Sequence, residues 1–585
     1  MTDNNMGFIR VACGCPRSVN GDIGRNTMSV ANLIMEAEKE GAGIILLPPQ
    51  SFAGTGCGDL FFQEHLRRMQ EEAIGDVADT FSKAKILAIA GCFERHGSTV
   101  YDAYAVFQKG DVICGTDDLV LWDDENELLI GFDDDCHIQM MTSDEEITVG
   151  QMAYTRELVK ITSAKNKNIV MFAAANGILM IAENGKIMVE NGPFDADNMI
   201  ICDVDTELIL HERITSDDFD DEGIDISEAE PIDTVHMWEG PELERKVSPA
   251  PFRPDDPELL ASNCREIFEI QSSALAKRLA AIHAKKSVVG ISGGLDSTLA
   301  LLVCAYAHRK LGMPAEDIIA ITMPGFGTTD RTYDNALAMM KSTGATVREI
   351  SIVDSVTQHF KDIDHDINDH SVTYENAQAR ERTQILMDIA NKEGGIVVGT
   401  GDLSEEALGW CTFNGDHISM YGVNAGVPKS AIKDIVRWVI DVKLKEDPEF
   451  SKDNDLLAKT LEDILDTPIS PELLPPDEAG NMTQKTEDKL GPYELHDFFI
   501  YHTVRYGATP EKLFFLACKA FEDKYDEEYI KKWLETFYRR FFTQQFKRSC
   551  SPDSPRVGTV DLSPAHWNMP SDASSDIWVK MVKGL

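Results

Sequence analysis

No stretch of this 585-residue chain stays apolar for long enough to span a bilayer, since a crossing helix needs about 20 such residues. The first residues, Met1 to Asn5, offer neither a basic region nor an apolar core, so no secretory signal is expected. Basic residues are in deficit: 55 Lys and Arg stand against 99 Asp and Glu, a net charge of −44. That deficit argues against nucleic acid as a partner, because phosphate backbones are held by Lys and Arg, and equally against anionic membrane surfaces. Acidic clusters such as Asp217 to Glu222 read as solvated loop. Twelve cysteines are scattered, and the one close pair, Cys13 and Cys15, lies on one face of a strand-like segment. No second Cys or His pair stands at a zinc spacing, and scattered thiols fit a reducing, cytoplasmic setting. The run from Asp362 to Asp369 opens like a calcium loop, but Ile367 takes the glycine place and Thr373 the glutamate place. It reads as an acidic loop.

Hydrophobic residues make up 43% of the chain, enough for sizeable cores, and the length demands at least two of them. Residues 7–210 alternate short apolar strands, at 8–12, 43–47, 86–91, 103–107, 169–173 and 199–202, with amphipathic helices at 27–40, 64–84 and 150–164. Residues 212–257 are acidic and proline-rich and read as a linker laid over a surface. From 258 the pattern changes to strands at 287–291, 318–323, 346–352 and 395–399, separated by long helices. That alternation implies a parallel sheet covered on both faces, with ligands at the carboxyl ends of its strands. From about 427 the chain reads mainly helical, then loop-rich.

The most informative residues follow the strand at 287–291: Ser292, Gly293, Gly294, Leu295, Asp296, Ser297 and Thr298. A glycine turn between strand and helix lets backbone N–H groups close on an anion at the helix start. The three hydroxyls add donors for phosphate oxygens, and Asp296 implies a Mg²⁺ between itself and the phosphate. The Gly-Lys-Ser/Thr ending of a Walker A loop is missing. The loop resembles the pyrophosphate-binding loop of N-type ATP pyrophosphatases. Further on come the turn from Met323 to Thr328, a helix bearing Asn376, Arg380 and Arg382, and the segment Gly399, Thr400, Gly401, Asp402, Leu403, Ser404 and Glu405. Then follow Trp410, Cys411, Thr412 and Phe413, Asp416, Lys429 and, near the end, Lys547.

In this order and spacing, residues from about 255 to 585 resemble the synthetase domain of NAD⁺ synthetases. The resemblance implies a doubly wound, adenine nucleotide α-hydrolase-like domain that amidates deamido-NAD⁺ using ATP and Mg²⁺. It assigns ATP phosphates to Gly290, Ile291, Ser292, Gly293, Gly294, Leu295, Asp296 and Ser297, with Thr400 and Lys429 as further ATP contacts. It gives the metal to Asp296 and Glu405. Deamido-NAD⁺ falls to Asn376, Arg380, Arg382, Glu405, Trp410, Cys411, Thr412, Phe413, Asp416 and Lys547. Asp296, Glu405, Lys429 and Lys547 are the expected catalytic set, and 403–424 a closing lid. A homo-oligomer, a dimer of synthetase domains or an octamer, is also implied. The chemistry asks for such residues: a carboxylate attacks the α-phosphate of ATP, so metal and cations must offset charge where two anions meet, and ammonia then displaces AMP.

Residues 7–210 resemble the carbon–nitrogen hydrolase (nitrilase-like) domain of the glutamine-dependent synthetases, an αββα sandwich, here shortened. The residues that carry this are the opening strand, Leu46 to Pro49, Gly54 with Asp59 to Phe61, and Cys202 to Leu208. The family's Glu–Lys–Cys triad is not matched: Pro49 stands at the glutamate place, Asp118 at the lysine place and Asp133 at the cysteine place. No lysine lies between Lys109 and Lys160. The expectation is therefore an amidase-like domain without its chemistry, with ammonia coming from solution or from a separate glutaminase. A conventional glutamine-dependent synthetase with a displaced triad, a non-catalytic nucleotide-binding scaffold, and another N-type pyrophosphatase acting on GMP precursors or tRNA remain as alternatives.

Overall fold

The computed structural model describes residues 6–216, 226–240, 242–327, 330–467 and 489–585, and the chain divides into two units, one ending at Lys246 and one running from Val247 to Leu585. The acidic cluster from Asp217, and Thr328 at the end of the Met323 turn, lie outside the described residues.

The first unit is built on two sheets. One has the order β12-β1-β2-β3-β4-β5, formed by β1 (Phe8–Gly14), β2 (Ile44–Leu46), β3 (Leu87–His96), β4 (Thr99–Gln108), β5 (Asp111–Gly115) and β12 (Met199–Asp205). The other has the order β11-β10-β9-β8-β7-β6-β13, from β6 (Val120–Asp123), β7 (Leu128–Gly131), β8 (Ile138–Ser143), β9 (Ile169–Ala174), β10 (Leu179–Glu183), β11 (Lys186–Asn191) and β13 (Glu230–Pro231). The helix Ile23–Lys39 starts where Asp22 accepts from Arg25 N and buries Ile23, Val30, Leu33, Ile34 and Ala37, a helical stripe. It shares a core with Ala12, Ala88, Ala105 and Phe107 of the first sheet. The helix Gln151–Asn166 buries Val159 against Val170, Phe172 and Met180 of the second. The sheets meet face to face, with the Tyr104 ring 4.3 Å from that of Phe132. This is an αββα sandwich.

One connection in this unit is unusually short. Strands β7 and β8 run parallel, with Ile130 opposite Ile138 and Gly131 opposite Gln139, yet only residues 132–137 join them. A parallel pair ordinarily needs a crossover of about a dozen residues or more, usually with a helix. Here the link is a tight turn, Cys136 N donating to Asp133 O at 3.2 Å. Arg213 braces it, donating to Asp135 O at 2.8 Å, Cys136 O at 2.9 Å, Asn166 O at 3.1 Å and Lys167 O at 3.0 Å.

The supposed linker over 212–257 is divided between the two units, so the boundary expected at 211 moves to 246. Glu230 and Pro231 extend the second sheet beside β6, Trp238 sets its ring edge-on to Phe8 at 6.0 Å, and Arg245 makes two bonds of 2.9 Å to Glu183. Side chains anchored at intervals, rather than a run of apolar residues, hold this stretch down.

The second unit opens with the helix Pro257–Ala281, whose start is capped by Asp256. Five parallel strands follow in the order β16-β15-β14-β17-β18: β14 (Ser287–Gly290), β15 (Ile318–Thr322), β16 (Thr346–Glu349), β17 (Ile396–Gly399) and β18 (Tyr421–Gly422). Both faces are buried. Val289, Ile318, Ala320 and Val398 enter one core with the helices Leu295–Lys310 and Lys429–Trp438, while Val288, Ile319, Ile321 and Val397 enter the other with Val353–Asp362 and Val372–Glu393. This is why the inner strands β14, β15 and β17 read as largely apolar runs, while the edge strand β16, Thr-Val-Arg-Glu, does not. The order turns back at β14, so the loops after β14 and β17 leave the sheet on the same edge at the switch point.

His137 offers a test of the short link. It is buried and its Nδ1 accepts from Leu129 N at 3.0 Å; burial, with Arg213 nearby, holds it down to about 3. Unfolded, it would protonate near its ordinary value of about 6.5. Its contribution is therefore full above about pH 6.5 and lost as pH falls toward 3, at up to about 1.4 kcal/mol per pH unit. The stability advantage of the wild type over His137→Gln should be constant above neutrality and shrink on acidification; a constant difference down to pH 4 would contradict the buried neutral imidazole.

Candidate active site

The loop after β14 is shaped by a glycine that no other residue can replace. Gly293 has φ +89°, and a Cβ there would lie 2.2 Å from Thr332 O, so both the conformation and the close approach require glycine. Gly294 then begins the helix Leu295–Lys310 with no side-chain cap. Of the N–H groups that a helix leaves unpaired at its start, that of Gly294 donates to Ser292 Oγ at 3.3 Å, and the N-cap itself has no side chain to accept from the others. The serine and threonine hydroxyls differ from expectation. Ser297 Oγ donates to Gly294 O at 3.0 Å and Thr298 Oγ1 donates to the same carbonyl at 2.8 Å, and Thr298 is fully buried. A carbonyl one turn back is the nearest acceptor for such hydroxyls, which leaves Ser292 as the exposed one.

The turn delivers Asp296 to an acidic cluster. Lys429, at the start of the helix Lys429–Trp438, is only 2% exposed, and its Nζ reaches three carboxylates: Asp402 at 2.7 Å, Asp296 at 2.8 Å and Glu405 at 2.9 Å. These three carboxylates offer oxygens within 4.8 Å of one another. Asp402 and Glu405 belong to the loop after β17 and the helix Leu403–Leu408, where Asp402 Oδ1 accepts from Glu405 N at 2.9 Å as the cap. Asn424, fully buried, ties the two loops together by donating to Asp296 O at 2.9 Å and Thr400 O at 3.1 Å. Ser404 bonds Asp497, which also accepts from Ser430 N at 3.1 Å.

The charges do not balance, for three carboxylates share one ammonium. Burial pushes Glu405 up to about 7, Lys429 opposing and Asp296 adding to the rise. Burial likewise raises Asp402 well above the carboxylate range, against the pull of Lys429. Burial alone would discharge Lys429, but Asp402, Glu405 and Asp296 outweigh it and keep it charged. An all-oxygen donor set with surplus negative charge suits a hard divalent cation such as Mg²⁺.

The remaining expected residues gather on a second wall. Asn376 Oδ1 accepts from Thr412 Oγ1 at 2.8 Å, Arg380 donates to Phe413 O at 3.2 Å, and Thr412 N donates to Asp416 at 2.7 Å. Phe413 is 5.1 Å from the His417 ring and 40% exposed, and Arg540 lies 5.5 Å over Trp410. Arg382 instead donates to Met323 O at 3.1 Å. Lys547 spends its ammonium on Gly409 O and Cys411 O, both at 2.7 Å. Sequence reasoning did not single out Asp402, Asn424, Tyr493 or Asp497. Asp402 was hidden because Asp-Leu-Ser-Glu is an ordinary helix-start pattern; Tyr493, whose ring centroid is 5.4 Å from Lys429 Nζ, comes from a distant helix with no motif.

In the first unit, Pro49 is buried against Gly91, where a Cβ would meet Pro49 Cα at 2.4 Å. Gln50 beside it has φ +54° and donates to Asp102 and Cys92 O. Asp118 is exposed and accepts from the Thr116 hydroxyl. Asp133 is exposed and accepts from Asp135 N at 2.8 Å. Cys136 is fully buried, and burial pushes its thiol up to about 12.

Fold and site together define a two-domain α/β enzyme of the nucleotide-dependent synthetase class. Comparison with known proteins gives the rest. Residues 267–443 match the NAD synthase family and residues 10–127 the carbon–nitrogen hydrolase family. A glutamine-dependent NAD(+) synthetase of Mycobacterium tuberculosis is 33% identical over 679 aligned positions, covering 98% of both chains, and one of Mycobacterium leprae is 32% identical over 99% of this chain and 98% of its own. A crystal structure of a glutamine-dependent NAD(+) synthetase from Cytophaga hutchinsonii aligns over 98% of this chain and 100% of its own at 16% identity, with a TM-score of 0.46. The chain belongs to the glutamine-dependent NAD(+) synthetase family. Among the described residues no helix is long and apolar enough to cross a membrane.

Replacing Lys429 by Met would leave Asp296, Asp402 and Glu405 facing one another without their cation. The unfolding free energy should fall by roughly 3–5 kcal/mol, read from urea midpoints in the presence of a chelator. An unchanged midpoint would mean that the ammonium is not the counter-charge of the cluster.

Proposed function

We propose that the protein makes NAD⁺ from deamido-NAD⁺, ATP and ammonia through an acyl-adenylate, and that its first unit does not supply the ammonia by hydrolysing glutamine. The observation that carries the synthetase reading is the trio Asp296, Asp402 and Glu405 around Lys429, beside a glycine loop at the switch point of a parallel sheet.

Asp296, Asp402 and Glu405 would hold Mg²⁺, which when bound offsets the charge of the ATP phosphates. Their oxygens already converge on a point where positive charge sits, the Lys429 ammonium. The backbone of Gly293 and Gly294 and the uncapped start of Leu295–Lys310 receive phosphate oxygens. Lys429 then follows the charge from carboxylate to phosphate as the α–β bond breaks. Asn376, Thr412 and Phe413 present amide, hydroxyl and ring surface to the dinucleotide. No side chain needs to act as a nucleophile: the nicotinate carboxylate attacks the α-phosphorus, pyrophosphate leaves, ammonia adds to the acyl carbon and AMP departs. Catalysis is then positioning and charge stabilisation, in a site closed to the water that would hydrolyse the adenylate.

The amidase reading rests on the first unit. A glutaminase of this family needs base, lysine and cysteine. Pro49 has no ionisable group, Asp118 and Asp133 are exposed acids, and the nearby thiol of Cys136 is buried and protonated, whereas the thiolate is the nucleophile. The relatives' names favour a second reading, in which glutamine is used at a site displaced from these positions.

One assay separates them: NAD⁺ formation from deamido-NAD⁺ and Mg-ATP, with ammonium or with ammonia-free glutamine. Product with ammonium alone is expected; product with glutamine would overturn the loss of glutaminase, and product with neither would overturn the synthetase reading. Asp296→Asn should lower the ammonium-driven rate by about 100-fold or more, judged by pyrophosphate release, whereas Cys136→Ala should leave it unchanged.

A further inference from the structure

We propose that Arg540, Lys547 and Arg548 form a clamp of positioning residues that holds the acidic cluster in place through the main chain of the helix Leu403–Leu408. The inference rests on the amidation reading. That helix has six residues, far too few to persist alone in water, yet it carries Glu405 and is capped by Asp402. Its start is fixed by Asp402 and by the bond between Ser404 and Asp497. At its end, where a helix runs out of internal donors, Glu405 O and Glu406 O accept from Trp410 N at 2.8 Å and Gly409 N at 3.2 Å, and cations meet the carbonyls from Glu406 onward. Arg548 Nη1 donates to Glu406 O at 3.1 Å and Ala407 O at 2.8 Å. Arg540 Nε donates to Leu408 O at 2.9 Å. Lys547 Nζ donates to Gly409 O and Cys411 O at 2.7 Å.

The three cations come from one place, the paired helices Glu527–Thr543 and Gln545–Arg548. Arg548 is locked into them by Phe541 O and by Gln545 Oε1 at 2.9 Å, and it is only 1% exposed. Burial lowers the pKa of all three. In a chain so poor in Lys and Arg, three are committed to the end of one short helix, where positive charge is favoured. Glu406, whose carbonyl Arg548 holds, directly follows Glu405 in the chain. Loosening the clamp would let Asp402 and Glu405 drift together from Lys429. Lys547 thereby acts on the reaction through the 409–411 turn.

Arg548→Lys and the less buried Arg540→Gln, each in the full chain, test this. Hydrogen exchange without nucleotide or metal should quicken at amides 405–411 and nowhere else. The kcat for NAD⁺ formation with ammonium should fall about tenfold or more, the Mg²⁺ concentration for half-maximal rate should rise, and the KM for ammonium should stay. Arg540→Lys should recover more rate than Arg540→Gln. Folded variants with wild-type kcat and Mg²⁺ requirement would overturn the clamp, as would a loss of rate matched by exchange across the whole unit. If the wild type itself forms no NAD⁺ with ammonium, the amidation reading falls and the clamp's role falls with it.

Discussion

One ammonium group holds together a site that would otherwise push itself apart. Lys429 sits within 2.9 Å of three carboxylates drawn from two loops, and the geometry around it depends on that charge. Asp296 fixes the turn after β14 and Asp402 fixes the helix after β17. Asn424 then ties the same loops through their main-chain carbonyls, and Asp497 ties Ser404 of the second to Ser430 beside Lys429. Remove the cation and three buried or half-buried acids face one another at contact distance, a situation that burial makes worse. The arrangement is thus at once a structural keystone and a receptor for positive charge, and the two roles compete for the same oxygens.

Much of the second unit could be read from the chain because its strands are covered on both faces. Residues 287–291, 318–323 and 395–399 carry no charge and are apolar but for Ser287 and Thr322, and the structure gives strands at Ser287–Gly290, Ile318–Thr322 and Ile396–Gly399. The loop at 292–298 announces itself through paired glycines and hydroxyls. What could not be read is where the hydroxyls point, since Ser297 and Thr298 satisfy a carbonyl of their own turn. Asp402 was legible as a cap and not as a member of the cluster, because one carboxylate does both with different oxygens.

The first unit was less legible for a different reason. Its second sheet includes β6 and β7, four-residue strands set among acids, and β13, two residues long, inside a stretch rich in proline and acid. Neither shows a long period. Trp238, Val235 and Arg245 anchor their segment singly, each through a contact with a residue at least a hundred positions earlier in sequence or tens of positions away. Pattern reading finds faces, and it does not find isolated anchors.

The link at 132–137 limits what substitution alone could do in the first unit. A glutamate, lysine or cysteine placed at 49, 118 or 133 is one codon change or two away. A six-residue turn between parallel strands is not altered that way. A cysteine at 133 would sit on an exposed turn braced by Arg213, with no helix start behind it to stabilise a thiolate. Building a thiolate site at this turn would take an inserted segment that also displaced Arg213 from the carbonyls of 135 and 136. If the first unit does not hydrolyse glutamine, as proposed above, this short link would keep single substitutions from placing that chemistry here, and selection on the unit would act on its surface and its packing.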